Sequence, residues 1–365
     1  MPSLKIRGGG SAVGGRGSYD GKKMFQSVLK KLLEKKSLDA QEIQSCFQHI
    51  LSGQVPPSLM AAFLVALRMK GENAAELAAA SLALRKAAVP FETKISNLVD
   101  SCGTGGDHSN TFNISTAAAL VAAAAGAKVA KHGNRSVSSQ AGSADVLEAL
   151  GVRIEISPQA TEKCLQHTGF AFLFAPLYHP SMKYVASVRK ELGIRTVFNL
   201  VGPLANPAQV KRQLMGVWDE AYIDLMGEVL LKLGCQKALV VRSQDGLDEM
   251  SLTTYTEVCE LNAGKLSHYQ IYPDKLGLKT CTKKDLLGGD AKVNAQIIEG
   301  IIKGEKGPRR DVVLLNAAAI LYVSDLVREL ELGIDKAEEA IRSGKALKVL
   351  EDLRHLTSKE EVVVS

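Results

Sequence analysis

Three short stretches bring together residues whose types and spacing suit chemistry on a phosphorylated substrate. The first is Cys102-Gly103-Thr104-Gly105-Gly106-Asp107, followed by Asn113-Ile114-Ser115-Thr116 at the head of an alanine-rich run. Glycines let a backbone come close to an anion and adopt positive φ, and a helix start offers unpaired N–H groups at the favourable end of its dipole. Pyrophosphate is a natural occupant, although the spacing is neither Walker A nor G-x-G-x-x-G. Read alone, the stretch is equally a tight turn with Ser115 or Thr116 capping a helix.

The second stretch, Lys131-His132-Gly133-Asn134-Arg135-Ser136-Val137-Ser138-Ser139, follows a β-like run and mixes cations, an amide and hydroxyls. Lys131, Arg135, the serines and backbone N–H groups suit phosphate oxygens, leaving Asn134 to orient a second ligand. Singly, such a Lys or Arg is more often a surface charge. The third, Asp245-Gly246-Leu247-Asp248-Glu249, comes directly after the apolar run Ala238 to Arg242. Adjacent carboxylates suit magnesium, a hard cation that takes oxygen ligands and bridges to substrate phosphates, so Asp248 and Glu249 are candidate ligands directly or through water. An isolated Asp-Glu pair is usually solvent-facing. Together the stretches indicate magnesium and pyrophosphate without naming an acceptor.

The elements that must hold these loops differ between the two parts of the chain. From Met24 to about Pro90, Phe25, Val28, Leu29, Leu32 and Leu33 recur at helical spacing, as do Ile43, Phe47 and Ile50. Helices are also predicted over Leu59 to Met69 and Ala74 to Lys86, so this part reads as a small all-helical N-terminal domain. After Phe91, β-like runs at Asn97 to Asp100, Lys128 to Lys131, Arg153 to Ile156 and Ala238 to Arg242 alternate with helical stretches. That order predicts a larger α/β domain with a central, mainly parallel sheet, whose ligands bind beyond the carboxyl ends of the strands. A helix over Ser181 to Leu192 is expected to pack back on the N-terminal helices. The expected division is residues 1–23 as a flexible tail or appended segment, 24–92 as the helical domain with a contribution from 178–206, and 93–177 with 207–365 as the α/β domain.

Composition narrows the function classes. The chain of 365 residues is 46% hydrophobic and carries a formal charge of +6. Within residues 1–23, Lys5, Arg7, Arg16, Lys22 and Lys23 face only Asp20, so this segment supplies +4 and the body is nearly neutral. A phosphate-backbone binder needs a broader basic surface, so no nucleic-acid partner is expected. The apolar run Ala117 to Ala130 is broken by Gly126 and Lys128 and falls short of a membrane span. The tail has no apolar stretch of signal-peptide length, which makes the cytoplasm the expected compartment. Cys46, Cys102, Cys164, Cys235, Cys259 and Cys281 show no C-x-x-C spacing and are expected to be reduced structural thiols.

The runs Gly103 to Asp107, Thr111 to Thr116, Lys131 to Arg135 and Gly142 to Gly151 closely resemble the anthranilate phosphoribosyltransferase family. So do His179 to Lys183, Val188-Arg189, Gly193 to Thr196, Asn199 to Pro207 and Asp245 to Glu249. The likeness spans residues 24 to about 355 in the family's order. It implies a homodimer that binds phosphoribosyl pyrophosphate (PRPP) with magnesium in an interdomain cleft, beside anthranilate, as a step of tryptophan synthesis. By motif position, Gly103, Gly106, Asp107, Thr111, Asn113, Ile114, Ser115, Thr116, Lys131, His132, Gly133, Asn134, Arg135, Ser136, Val137, Ser138, Ser139 and Ser143 would contact PRPP. Ser115, Asp248 and Glu249 would serve magnesium, and Gly103, Asn134 and Arg189 would address anthranilate. His108 and the pair Gln140-Ala141 depart from the family's usual residues and bear on loop mobility and phosphate affinity.

No acid or base is assigned among these residues, because an aromatic amine is already a neutral nucleophile near pH 7. Two rival readings have distinct signatures. A pyrimidine nucleoside phosphorylase would cleave uridine or thymidine with phosphate and ignore PRPP. A nucleic-acid-binding relative would bind DNA in a salt-sensitive way.

Overall fold

A computed structural model describes residues 17–136, 140–360 and 363. Four helices open it: α1 (Gly17–Leu33), α2 (Ala40–Leu51), α3 (Pro57–Lys70) and α4 (Ala74–Ala87). Capping boxes start α2 and α4, where Asp39 and Asn73 each accept from the backbone N–H of a glutamate three residues on and that glutamate returns the bond. Helix α1 begins seven residues before the predicted Met24, so residues 17–23 are helical rather than part of a tail. Once Phe25, Val28 and Leu32 anchor the helix in the core, extending it adds a hydrogen bond per residue at little further cost. At Gly21 the bare backbone lets the His49 ring approach, with an added Cβ falling 3.2 Å from it.

The chain then alternates β1 (Leu98–Ser101), α5 (Ile114–Ala124), β2 (Lys128–Gly133), α6 (Ser143–Ala149), α7 (Pro158–Thr168), β3 (Phe170–Phe174) and the short α8 (Ala175–Tyr178). The segment Arg153 to Ile156, expected as a strand, is irregular. Its backbone is bound elsewhere: Arg153 N–H donates to Thr357 Oγ1 at 3.1 Å, and Glu155 O accepts from Val363 N–H at 3.0 Å. Strand β3 takes the place beside β2 instead. Helices α9 (Lys183–Leu192) and α10 (Val197–Val201) follow; α9 packs on α2 and α3, and its Val185 and Val188 share the core of the first four helices.

The remainder comprises β4 (Arg212–Gly216), α11 (Ala221–Lys232), β5 (Lys237–Ser243), β6 (Thr256–Asn262) and β7 (Lys265–Ile271), then helices α12 (Ala291–Ile302), α13 (Pro308–Val323), α14 (Leu330–Arg342) and α15 (Lys345–Ser358). The sheet order is β3-β2-β1-β4-β5-β6-β7, parallel from β3 to β5 and antiparallel at β6 and β7. Side chains alternate across it with period two. Leu239 and Val241 of β5 enter the core shared with α5 and α13, while Ala238 and Val240 enter the core that α11 continues into the N-terminal helices. This is a helical N-terminal domain joined to a larger α/β domain, and the chain reverses its direction of sheet growth between β1 and β4.

A buried polar tie braces that reversal. Asn206 donates at 2.8 Å to both Asp100 Oδ2 on β1 and the Ala130 carbonyl on β2, and its own carbonyl accepts from Ala208 N–H. Asn206→Ala is expected to lower unfolding free energy by about 1 kcal/mol, the low end for orphaning a buried acceptor, because His132 N–H and the Cys102 thiol still donate to Asp100. An unchanged urea midpoint would contradict that role.

Candidate active site

Ligands of open parallel sheets settle where strand order reverses, and the glycine turn leaves β1 at that point. Gly105 and Gly106 have φ of 66° and 79°, in the region that favours glycine. The acidic loop after β5 crosses the end of β4 to meet this turn. Asp248 Oδ2 accepts from Gly105 N–H at 2.8 Å, and Asp248 N–H faces Asp107 Oδ2 at 3.5 Å. A Cβ on Gly103 would lie 2.5 Å from Asp248 Oδ2, and one on Gly216 would lie 1.5 Å from the Asp248 carbonyl oxygen. Glycine at both positions therefore permits the acidic loop to close on the turn.

Glu249 reaches the start of α5, where its Oε1 accepts from Ser115 N–H at 3.2 Å. The side chains of Ile114 and Thr116 are buried, so these two can meet a ligand only through backbone atoms. Asn113, at the N-cap, is tied down by donation to the Ala141 carbonyl and acceptance from Asn294, each at 3.0 Å. Lys131 is 2% exposed: its ammonium donates to the Ser101 carbonyl and, at 3.3 Å, to Ser115 Oγ, which puts its charge beneath the floor of the cleft.

Three carboxylates thus crowd one turn. Burial, with Asp107 and Glu249 close by, pushes the Asp248 carboxyl well above its usual range. Burial likewise pushes Glu249 up to about 7, against the pull of Lys131 and with Asp107 adding to it. Among the described residues no lysine or arginine forms an ion pair with Asp107, Asp248 or Glu249, although Lys131 lies beneath. Clustered oxygen donors of like charge next to helix N–H groups fit a hard dication, so the residues present suit magnesium.

The loop after β2 is organised by acids as well as cations. Asp145 accepts from Ser136 N–H at 3.0 Å and Gly142 N–H at 2.8 Å. The Arg135 guanidinium pairs with Asp145, Glu148 and Glu155 and lies over the Phe174 ring, so here it is bound within the domain. Asn134 is exposed, its side-chain oxygen accepting from Arg135 N–H at 2.7 Å and its carbonyl from Ser143 Oγ at 3.3 Å. Gly133 leaves room for Ser143 Oγ, which a Cβ would meet at 2.3 Å. Thr111 lies near the glycine turn's exit, bridged to Leu287. His108 takes φ of 55°, Gln140 is exposed and Ala141 is buried. Val137, Ser138 and Ser139 lie outside the described residues.

Arg189, on α9, is half-buried over Phe198 at 5.8 Å, and burial draws its guanidinium below its ordinary range. Among the described residues it has no carboxylate partner, the condition of a cation prepared for an anionic ligand. Two participants go unassigned in the sequence reading. Arg195 stacks 4.3 Å above Trp218 and donates to the Gly106 carbonyl, fastening the segment after α9 to the glycine turn. His179 sits 5.1 Å from His132, and burial takes the two rings down to about 4 and about 3. Both imidazoles are therefore neutral near pH 7, with the Gly202 backbone beside His132 and the Ala205 backbone beside His179. Only the motif His179-Pro180 hinted at this pair, since its meeting depends on β2 and the segment after β3 lying side by side.

Comparison with known proteins places this geometry. A model described as the glycosyl transferase family a/b domain matches residues 95–347, and one described as the helical bundle domain of that family matches residues 26–88. An anthranilate phosphoribosyltransferase of Clostridium kluyveri is 48% identical over 330 residues, covering 90% of this chain and 98% of the relative. The crystal structure of the Thermus thermophilus anthranilate phosphoribosyltransferase superposes with a TM-score of 0.86 at 42% identity, covering 90% of this chain and 99% of that one. The Saccharomyces cerevisiae anthranilate phosphoribosyltransferase, solved in complex with PRPP and Mg, superposes with a TM-score of 0.85 at 30% identity, over 92% and 98% of the two chains.

Proposed function

The chain belongs to the anthranilate phosphoribosyltransferase family, and from that membership we infer that it transfers the phosphoribosyl group of PRPP to the amino group of anthranilate, releasing pyrophosphate, in tryptophan biosynthesis. The observation that carries the site is the meeting of Asp248 and Glu249 with the glycine turn and the start of α5. Asp248, Glu249 and Ser115 would hold magnesium, which supplies charge neutralisation for the departing diphosphate. Gly103, Gly106, Asp107, Thr111 and the start of α5 would line the diphosphate. Lys131 would add positive potential from below, and the loop from His132 to Ser143 would complete the cradle. The anthranilate nitrogen bonds to the ribose anomeric carbon as the carbon–oxygen bond to pyrophosphate breaks. The bonding pair leaves on pyrophosphate and the amine proton passes to it or to water. Alignment by Arg189, Asn134 and Gly103, with fixed N–H donors facing the leaving group, suffices without a covalent nucleophile.

Mixing purified protein with PRPP, magnesium and anthranilate should extinguish anthranilate fluorescence only when all three are present. Fluorescence loss without PRPP, or phosphorolysis of uridine with no use of PRPP, would overturn the reading. The relatives are transferases, which leaves the phosphorylase alternative without support. We further propose the division into 24–92 with 178–206, and 93–177 with 207–365, as the moving parts that flank the cleft. We also propose a cytoplasmic homodimer.

The raised carboxyls make magnesium binding pH-dependent. Burial pushes Glu249 up to about 7 and Asp248 well above its usual range, so at lower pH the ion must displace protons from them. Apparent magnesium affinity should therefore rise with pH across the acid-to-neutral range, as the ion has fewer protons to displace from Asp248 and Glu249. The sign for the metal-free fold is opposite. The native state holds more protons than the unfolded chain between 4.5 and about 7, so stability falls as pH rises through that window. Calorimetric titration at a series of pH values checks the first trend, and a pH-independent affinity would exclude a titrating ligand.

A further inference from the structure

Away from the cleft, the antiparallel hairpin β6–β7 and helix α11 bring together three residues that the transferase reaction does not use. We propose that Asp224, Cys259 and His268 form a second metal site, for a borderline transition-metal dication such as Zn2+. Cys259 and His268 are directly opposed across the strands, so their side chains leave the same face of the sheet. That face is the one α11 covers, and Asp224 lies in the first turn of α11. Asp224 Oδ1 is 3.3 Å from His268 Nδ1, and the three donor atoms all lie within 4.8 Å of one another. Tetrahedral zinc with bonds of about 2.0–2.3 Å separates its ligand atoms by roughly 3.5 Å, so closure of about 1 Å is needed. Exposed Asp and His rotamers supply that movement.

Two further features open the site. Gly227, one turn after Asp224, presents no side chain over the sulfur, and a Cβ there would fall 2.5 Å from Cys259 Sγ. A surface depression of about 540 Å³, lined by Glu220, Asp224, Glu257 and His268 among others, opens the Asp224 and His268 side of the cluster to solvent, with room there for water as a fourth ligand. The acids there draw in a cation. The sulfur, nitrogen and oxygen set distinguishes this site from the all-oxygen cluster in the cleft, because soft thiolate and imidazole favour zinc over magnesium. Burial pushes the Cys259 thiol up to about 11, so binding releases one proton to solvent as the metal–sulfur bond forms. Occupancy would pin α11, which also packs on α4, to the hairpin.

Cobalt tests this with a signature that oxygen ligation lacks. Chelator-treated full-length protein, kept in saturating Mg2+, is titrated with Co2+ and followed for a thiolate-to-metal charge-transfer band. The wild type should give the band at one equivalent, and Cys259→Ser should lose it. Because Cys259 is buried, His268→Ala at an exposed position is the second variant. It should weaken Zn2+ binding by at least about 10-fold, the loss that even an outer partner of a ligand brings, and leave magnesium-dependent turnover within about twofold. No band in the wild type, a band that persists in folded Cys259→Ser, or unchanged Zn2+ affinity in His268→Ala would overturn the proposal.

Discussion

Replacing Asp248 by Asn together with Glu249 by Gln is expected to lower magnesium-stimulated turnover by at least about 100-fold, about 2.7 kcal/mol of transition-state stabilisation. The amides keep the shapes and can still accept from Gly105 and Ser115 N–H, so the turn and the head of α5 should hold. They remove both negative charges that would bind the dication, and with it the neutralisation of a departing diphosphate. Removing two carboxyls that burial has pushed upward should also relieve strain in the metal-free fold, leaving thermal stability equal or higher at neutral pH. Steady-state kinetics across a magnesium series, with unfolding curves on the same samples, separates the effects. Ordinary magnesium dependence in a folded double variant would mean that the pair only braces the turn.

Arg189→Ala should weaken use of anthranilate by about 1.5–3 kcal/mol, about 10- to 150-fold in kcat/KM, the range for a charged hydrogen-bonded pair. The reasoning is electrostatic. A half-buried guanidinium with no carboxylate neighbour among the described residues carries a desolvation cost that an arriving carboxylate would offset. Most of the loss should appear as a higher KM for anthranilate, with the KM for PRPP little changed. Arg189→Lys should recover only part, since an ammonium cannot reproduce the planar fork. Unaltered anthranilate kinetics in the alanine variant would make Arg189 a packing residue over Phe198.

Much of this architecture is legible in the chain because local chemistry and tertiary demand agree. Spacing of Phe25, Val28, Leu32, Ile43, Phe47 and Ile50 marks the helices whose apolar stripes those residues bury. Where the signals diverge, tertiary partners decide. Arg153 to Ile156 has the texture of a strand, yet its backbone is held by Thr357 and Val363. Phe170 to Phe174 is buried on both faces, so β3 shows no alternation to announce it. The three loops are conspicuous by composition, and the structure brings the glycine turn and the acid pair together at the β1–β4 reversal. What spacing cannot show is how each cation is bound. Lys131 points under the floor, Arg135 is held by three acids, and Arg195 reaches the glycine turn from a segment 89 positions later in the chain.

Glu249 at the head of α5 has a consequence for ligand discrimination. Its carboxylate already satisfies a helix N–H that an incoming diphosphate oxygen would otherwise take. In the proposed reaction a bare polyanion would meet an occupied donor and, once Glu249 is ionised, a like charge, whereas one arriving as its dication complex would convert the same carboxylate from competitor to ligand. Under the proposed function the doorway would then favour the chelated diphosphate over free phosphate esters before any bond is broken.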